Sequence, residues 1–247
     1  MDIQQFFEPL SAISGTLPYE DVGSLIKMAD IVSRAGNVSV YIIDYARQEF
    51  LHVSPHPLFL AEYSQEDVKA MGYAFYEKVV SPEEQQMLFE INKMGFEHFY
   101  RLSVEQRENM HIAYNFHLNY KNNGRVLIQH KLTPLRLTPD GNLWLAICFV
   151  SNSPYREAGN VIFTFYSKNE YYQYNLETHK IEPYTPKTLS VRETEILNLT
   201  MRGFDEKQIS EVLHISLHTV KVHRRNIIKK MGVNNLTNAV TMYYSLV

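Results

Sequence analysis

Hydrophobic and polar positions change period along this chain, and the changes mark its elements. The stretch "VSVYIIDYARQEFLHVSP", residues 38–55, alternates on either side of a turn and predicts two short strands. The next segment, "HPLFLAEYSQEDVKAMGYAFYEKVVSPEEQQMLFEINKMGFEHFYRLS", is mostly helical. Alternation returns in "HIAYNFHLNYKNNGRVLIQHKLTPLRLTPDGNLWLAICFV", where Asn123-Gly124 and Asp140-Gly141 are turn signals between β-rich runs. Three antiparallel strands in a meander are expected there. A helix from Tyr19 to about Ala35 precedes them. Residues 160–184, "NVIFTFYSKNEYYQYNLETHKIEPY", alternate for two or three more strands, with turns at "SKNE" and "ETHK". With Tyr171, Tyr172 and Tyr174 on both strand faces, this segment is expected as an extra hairpin packed on the first domain or against a second copy.

The tail announces helices by their starts. In "SVRE", the Ser190 hydroxyl is placed to accept from a backbone N–H three residues on while Glu193 reaches back, a capping box. Asp205 with Gln208 repeats it, and Phe204 with Ile209 forms a hydrophobic staple across the cap. Ser216 is a third start, stapled by Ile215 and Val220, and Asn235 a fourth. Gly203 and Gly232 are suitable stops. Four helices result, the second short and joined to the third by the tight "HIS" connection, which is a helix-turn-helix arrangement.

Composition turns these elements into domains. At 247 residues and 45% hydrophobic, the chain is long enough for two cores. "IEPYTPKT" has two prolines among polar residues, in the manner of a linker. The expected organisation is a helical segment at 1–36, an α+β domain with an antiparallel sheet and helices at 37–155, a β-hairpin extension and linker at 156–186, and an all-α four-helix domain at 187–247. The net charge is −3, but from Lys187 onward nine Lys+Arg face five Asp+Glu, which is +4; the remainder is −7. A basic tail suits a polyanion that the front half would repel. The single cysteine, Cys148, excludes an internal disulfide framework and fits a reducing compartment. "MDIQQFFEPLSAISG" lacks a basic n-region, and no run reaches the length of a membrane span, so a cytoplasmic protein without membrane partners is expected.

Within the tail, "SLHTVKVHRRNIIKKMG" carries seven possible cations. At 100° per residue and with Lys221 at zero, Arg225 falls at about 40°, His218 at about 60°, Lys229 at about 80° and Val222 at about 100°. One face is therefore basic with one apolar contact. Val220, Ile227, Met231, Leu217 and Ile228 form the sealing arc. Arg224 intrudes into it, its stem expected to pack while its head reaches solvent or phosphate. His223 lies away from the basic face, at about 200°, and is expected to pack with a backbone carbonyl as partner. Following a stapled short helix and a tight turn, such a face predicts DNA recognition.

The segment "LSVRETEILNLTMRGFDEKQISEVLHISLHTVKVHRRNIIKKMGV" resembles the LuxR-type helix-turn-helix domain, in its R-E-x-E-I-L opening, its I-x-x-x-L-x-I-S helix and turn, and its T-V-K-x-H followed by I-x-x-K-[LM]-G-V. The resemblance implies that Lys221, Val222 and Arg225 face the major groove, that Thr219 and Lys229 lie toward the backbone, and that a fourth helix helps dimerise through Met242, Tyr243 and Leu246. The family usually has Ser and Asn, or similar residues, where this chain has Asp205 and Glu206; Asp205 keeps the cap, but an acidic pair argues against a phosphate contact there. Residues 37–154 resemble a PAS domain, in the order of two strands, helices and three strands, the "VSP" after the second strand, and the "NNGR" and "PDG" turns. That resemblance implies a sensor holding a small molecule or a protein against one face of its sheet.

Cofactor and enzyme chemistry find little here. Flavin photochemistry needs a reactive cysteine on a helix in an Asn-Cys-Arg setting, and Cys148 sits in the strand "WLAICFV", so it is read as core. His98 is the one helical histidine placed for heme. His52 and His56 have a spacing that only a helix exploits, and Pro55 and Pro57 break it. No cofactor or metal is expected, nor any catalytic site, since phosphate loops, nucleophile elbows and paired metal ligands are missing from the sequence. A receiver domain would alternate strands with helices, and an acyl-homoserine-lactone sensor usually has several tryptophans where this chain has Trp144 alone. The expected function is a homodimeric DNA-binding regulator modulated by its PAS-like domain. Its rival is a PAS-like interaction module whose tail recruits another regulator.

Overall fold

The computed structural model describes residues 17–186 and 188–245. These described residues fall into two compact units, those within 1–152 and 157–184, and those within 153–156 and 185–247. The first sixteen residues of the expected N-terminal segment lie outside the described residues.

In the first unit, a 3₁₀ turn at Tyr19–Asp21 leads into α1 (Val22–Gly36), and strands β1 (Ser39–Asp44) and β2 (Glu49–Val53) follow. Helices α2 (Pro57–Leu60), α3 (Gln65–Met71), α4 (Ala74–Val79), α5 (Pro82–Arg101) and α6 (Val104–Glu108) come next. The prolines and serine caps explain where they start: Pro57 and Pro82 occupy first turns, and Ser64, Ser81 and Ser103 each accept from a backbone N–H in theirs. Strands β3 (Met110–Asn119), β4 (Arg125–Leu137) and β5 (Leu143–Asn152) form the meander, and β6 (Gly159–Phe165), β7 (Glu170–Asn175) and β8 (Lys180–Pro183) follow. Gly141, at φ 78° in the β4–β5 turn, is required there, because a Cβ would lie 2.8 Å from Val104 Cγ2.

All eight strands join one antiparallel sheet in the order β2-β1-β5-β4-β3-β6-β7-β8. Strand β1 is buried at every position because both faces are covered. Tyr41 and Ile43 point into the main core with Phe59, Phe75 and Phe116, whereas Val40 and Ile42 join a second cluster with Trp144, Leu145 and the α1 residues Val22 and Ala29.

The extra strands are not a hairpin packed on the sheet. They continue it: β6 pairs with β3, from Met110↔Phe165 to Asn115↔Gly159. Tyr174 is consequently buried in the main core, with its hydroxyl donating to Glu90 at 2.7 Å, and Tyr172 packs beside it. Alternation leaves only Tyr171 of the three on the opposite face.

The second unit contains α7 (Val191–Met201), α8 (Glu206–Val212), α9 (Leu217–Met231) and α10 (Leu236–Ser245). It also contains Ser153–Arg156, which the sequence reading placed with the α+β domain up to residue 155. Tyr155 forms an isolated bridge with Val233, Arg156 Nε donates to the Val233 carbonyl at 3.2 Å, and Asn238 Nδ2 donates to the Pro154 carbonyl at 3.4 Å. Such side-chain anchoring has no periodic signal in four residues.

Candidate nucleic-acid interface

Local capping builds the helical unit. Ser190 with Glu193 and Asp205 with Gln208 are reciprocal capping boxes, and Ser216 accepts from Thr219 N at 3.0 Å. Asn235 Oδ1 accepts from Asn238 N at 2.8 Å to start α10. The turn between α8 and α9 passes through His214 in a left-handed conformation, with Ile215 N donating to the Ser210 carbonyl at 3.0 Å. Arg192 locks this corner, donating from Nη2 to the Leu213 carbonyl at 2.7 Å while Nη1 bonds Glu195 at 2.9 Å. Sequence periodicity does not single out Arg192 for this job, because its partner is 21 residues away in the turn after α8.

Packing then fixes the rotation of α9. Val220, Ile227 and Met231 are buried with Ile196, Leu197 and Ile209, and Ile228 is partly buried beside them. Fully burying a side chain such as Val220 or Ile227 stabilises by about 1.5–3 kcal/mol, so rolling the helix is costly. Leu217, assigned to the sealing arc by periodicity, is instead exposed in the first turn, beyond the reach of that core. His218, Lys221, Arg225 and Lys229 are exposed, and Val222, at the edge of their arc, is half-buried. Thr219 is half-buried, its hydroxyl 2.8 Å from Ser216 Oγ.

This geometry coincides with a family match: residues 187–243 fit the model for GerE, bacterial regulatory proteins of the luxR family. The C-terminal unit carries a LuxR-type helix-turn-helix domain. Domains of this kind are regulatory and DNA-binding, not catalytic. Among curated relatives, the response regulator protein TmoT of Ectopseudomonas mendocina is 46% identical over 54 residues, which is 22% of this chain and 24% of that protein. The transcriptional regulatory protein DegU of Brevibacillus brevis is 48% identical over 52 residues, 21% of this chain and 22% of that protein. The chain thus spans about a quarter of the length of the curated relatives it matches. Among solved structures, the phage VqmA–DPO complex is 17% identical, covering 92% of this chain and 88% of that one, with a TM-score of 0.31. The PAS domain of a protein from Colwellia psychrerythraea is 13% identical, covering 53% of this chain and 95% of that one, with a TM-score of 0.35.

Several details of the LuxR-type domain differ from the sequence reading. The Arg224 head does not run free: Nη1 lies 3.1 Å from Glu206 Oε1. Lys221 Nζ is 3.8 Å from the other carboxylate oxygen of the same residue. His223 is half-buried as expected of a packed histidine, but its buried Nδ1 has no hydrogen-bond partner, so the expected carbonyl does not reach that atom. Met242 is buried in the domain's own core and Tyr243 packs against it, which removes Met242 from any dimer surface. Leu246 lies outside the described residues.

Of the side chains considered for cofactors, His52 and His56 are hydrogen-bonded within the fold, whereas the buried Nε2 of His98 has no hydrogen-bond partner among the described residues. His98, on α5, packs at 4.8 Å from the Phe163 ring, and burial, then Arg101, lowers its pKa. His52 bonds Asp30 at 3.0 Å, and His56 caps α2. Cys148 is fully buried, and burial pushes its thiol pKa far up. Among the described residues, no three His, Cys, Asp or Glu side chains gather to hold a metal, and no helix is long and apolar enough to cross a membrane.

Proposed function

We propose that this chain is a transcriptional regulator that inserts α9 into the major groove of double-stranded DNA and is modulated by its N-terminal α+β unit acting as a PAS-like sensor. The observation that carries the reading is the division of α9 into a sealed apolar face and an exposed face bearing His218, Lys221, Arg225 and Lys229. Lys221, Val222 and Arg225 read base edges, and Thr219 and Lys229 approach the backbone. The Arg225 guanidinium donates two parallel hydrogen bonds to guanine. Two copies related by a two-fold axis would read inverted half-sites about one helical turn apart, or a multiple.

The signal acts at the first unit. Between α5 and the sheet lies an apolar cavity of about 50 Å³, lined by Ile91, Gly95, Phe96, Phe99, Met110 and Phe163 among others. It suits a small apolar ligand, and a protein signal on the same sheet is the other form this modulation can take.

A salt titration tests the division of labour on α9. The full chain and two variants are bound to duplexes it selects from a random pool, and to scrambled versions. Arg225→Ala should cost about 1–3 kcal/mol on the selected site and relax preference at one base position. Lys229→Ala should weaken both duplexes alike and lower the salt slope by about one, since one fewer counterion is released. If Arg225→Ala weakens both equally while Lys229→Ala alters base preference, the orientation of α9 is wrong.

A further inference from the structure

Resting on that DNA-binding reading, we propose that Glu206 is a built-in competitor of DNA phosphate, holding two cations of the recognition surface and weakening DNA binding irrespective of sequence. Glu206 opens α8, and its two carboxylate oxygens serve different residues of α9: Oε1 lies 3.1 Å from Arg224 Nη1 and Oε2 lies 3.8 Å from Lys221 Nζ. Lys221 belongs to the exposed basic face, and Arg224 is the basic residue nearest the sealed side. Among the described residues, Arg225 and Lys229 make no ion pair. The cations on this side of α9 are therefore divided into those that face only solvent and two that already face a carboxylate of the same domain.

A phosphate oxygen approaching Arg224, or one flanking the base edge that Lys221 reads, comes near a carboxylate of like charge. Binding must either exchange one anion for another around the same cations or accept their repulsion. Either route releases fewer counterions per contact than a free cation does, so both affinity and its salt dependence are held down. The ion pairs themselves are partly exposed, with side-chain exposures of 28% for Arg224, 55% for Lys221 and 34% for Glu206, so they contribute little to folding stability. Beyond the modest gain from a negative charge in the first turn of α8, stability therefore gives little reason for an acid facing these two cations. Its effect falls on DNA affinity.

The test compares the full chain with Glu206→Gln, which keeps the shape and removes the charge, on a random-sequence 30-bp duplex and on duplexes the native chain selects. Glu206→Gln should bind the random duplex about tenfold more tightly near 0.1 M salt and steepen the log–log salt slope by about one. The gain should vanish when Lys221→Ala and Arg224→Ala are also present, relative to that double variant alone. If Glu206→Gln binds no better, or more weakly, with an unchanged melting temperature, Glu206 merely orients the two cations and the proposal fails; Glu206→Ser gives the same comparison should the amide disturb folding. A native chain that binds neither duplex overturns the parent reading instead.

Discussion

Lys230, on the same helix as the basic face, does a different job from its neighbours. Its Nζ donates to Glu193 Oε2 at 2.7 Å, and Glu193 is almost fully buried while also closing the α7 capping box. Burial raises the Glu193 pKa, but the bonds from Lys230 and Ser190 outweigh it and leave the carboxyl below its ordinary value of 4.5. Because the unfolded chain holds this proton more tightly, the contribution is present above that ordinary value and is lost as pH falls through the folded one. Lys230→Met should cost about 1–2 kcal/mol near pH 7 and flatten the acid limb of stability, read as melting temperature against pH. Periodicity made the basic face legible because its residues share one helix, where angle follows from spacing. The same arithmetic could not show that Glu206 reaches Arg224, or that Arg192 clamps Leu213, since those pairs depend on how separate helices pack.

Element boundaries were the clearest text in the sequence, because caps are local chemistry. Ser190, Asp205, Ser216 and Asn235 each take the bond their side chains predict within three residues. Gly232 ends α9 at φ 67°, with its N–H donating to the Ile228 carbonyl. No atom crowds a Cβ there, so Gly232→Ala is strained by backbone conformation alone and should destabilise the C-terminal unit by about 1 kcal/mol in thermal or urea unfolding. The strands β6–β8 show where local reading stops. Alternation and the turns at "SKNE" and "ETHK" point to their existence, yet their partner is chosen by an edge of β3 some fifty residues earlier. Tyr174 reads as surface in a free hairpin and as core once that edge is taken.

At the scale of the molecule, a −7 portion and a +4 tail share one chain, and the structure resolves an antiparallel α+β unit and an all-α unit. The charge split and the helix-turn-helix pattern were legible from composition and caps. The assignment of residues 153–156 to the second unit was not, because it is carried by side-chain and bridge contacts to Val233 and Asn238. The central claim is that the exposed face of α9 is what holds DNA. Its most direct measurement is fluorescence anisotropy of the full chain and of Lys221→Ala/Arg225→Ala/Lys229→Ala on a duplex selected by the native chain, at fixed salt. With three phosphate or base contacts removed and the buried face of α9 intact, the triple variant should keep its circular dichroism and melting temperature while affinity falls at least about a hundredfold. Binding retained within about twofold by a folded triple variant would contradict the account and place the DNA contact, or the partner, elsewhere on the chain.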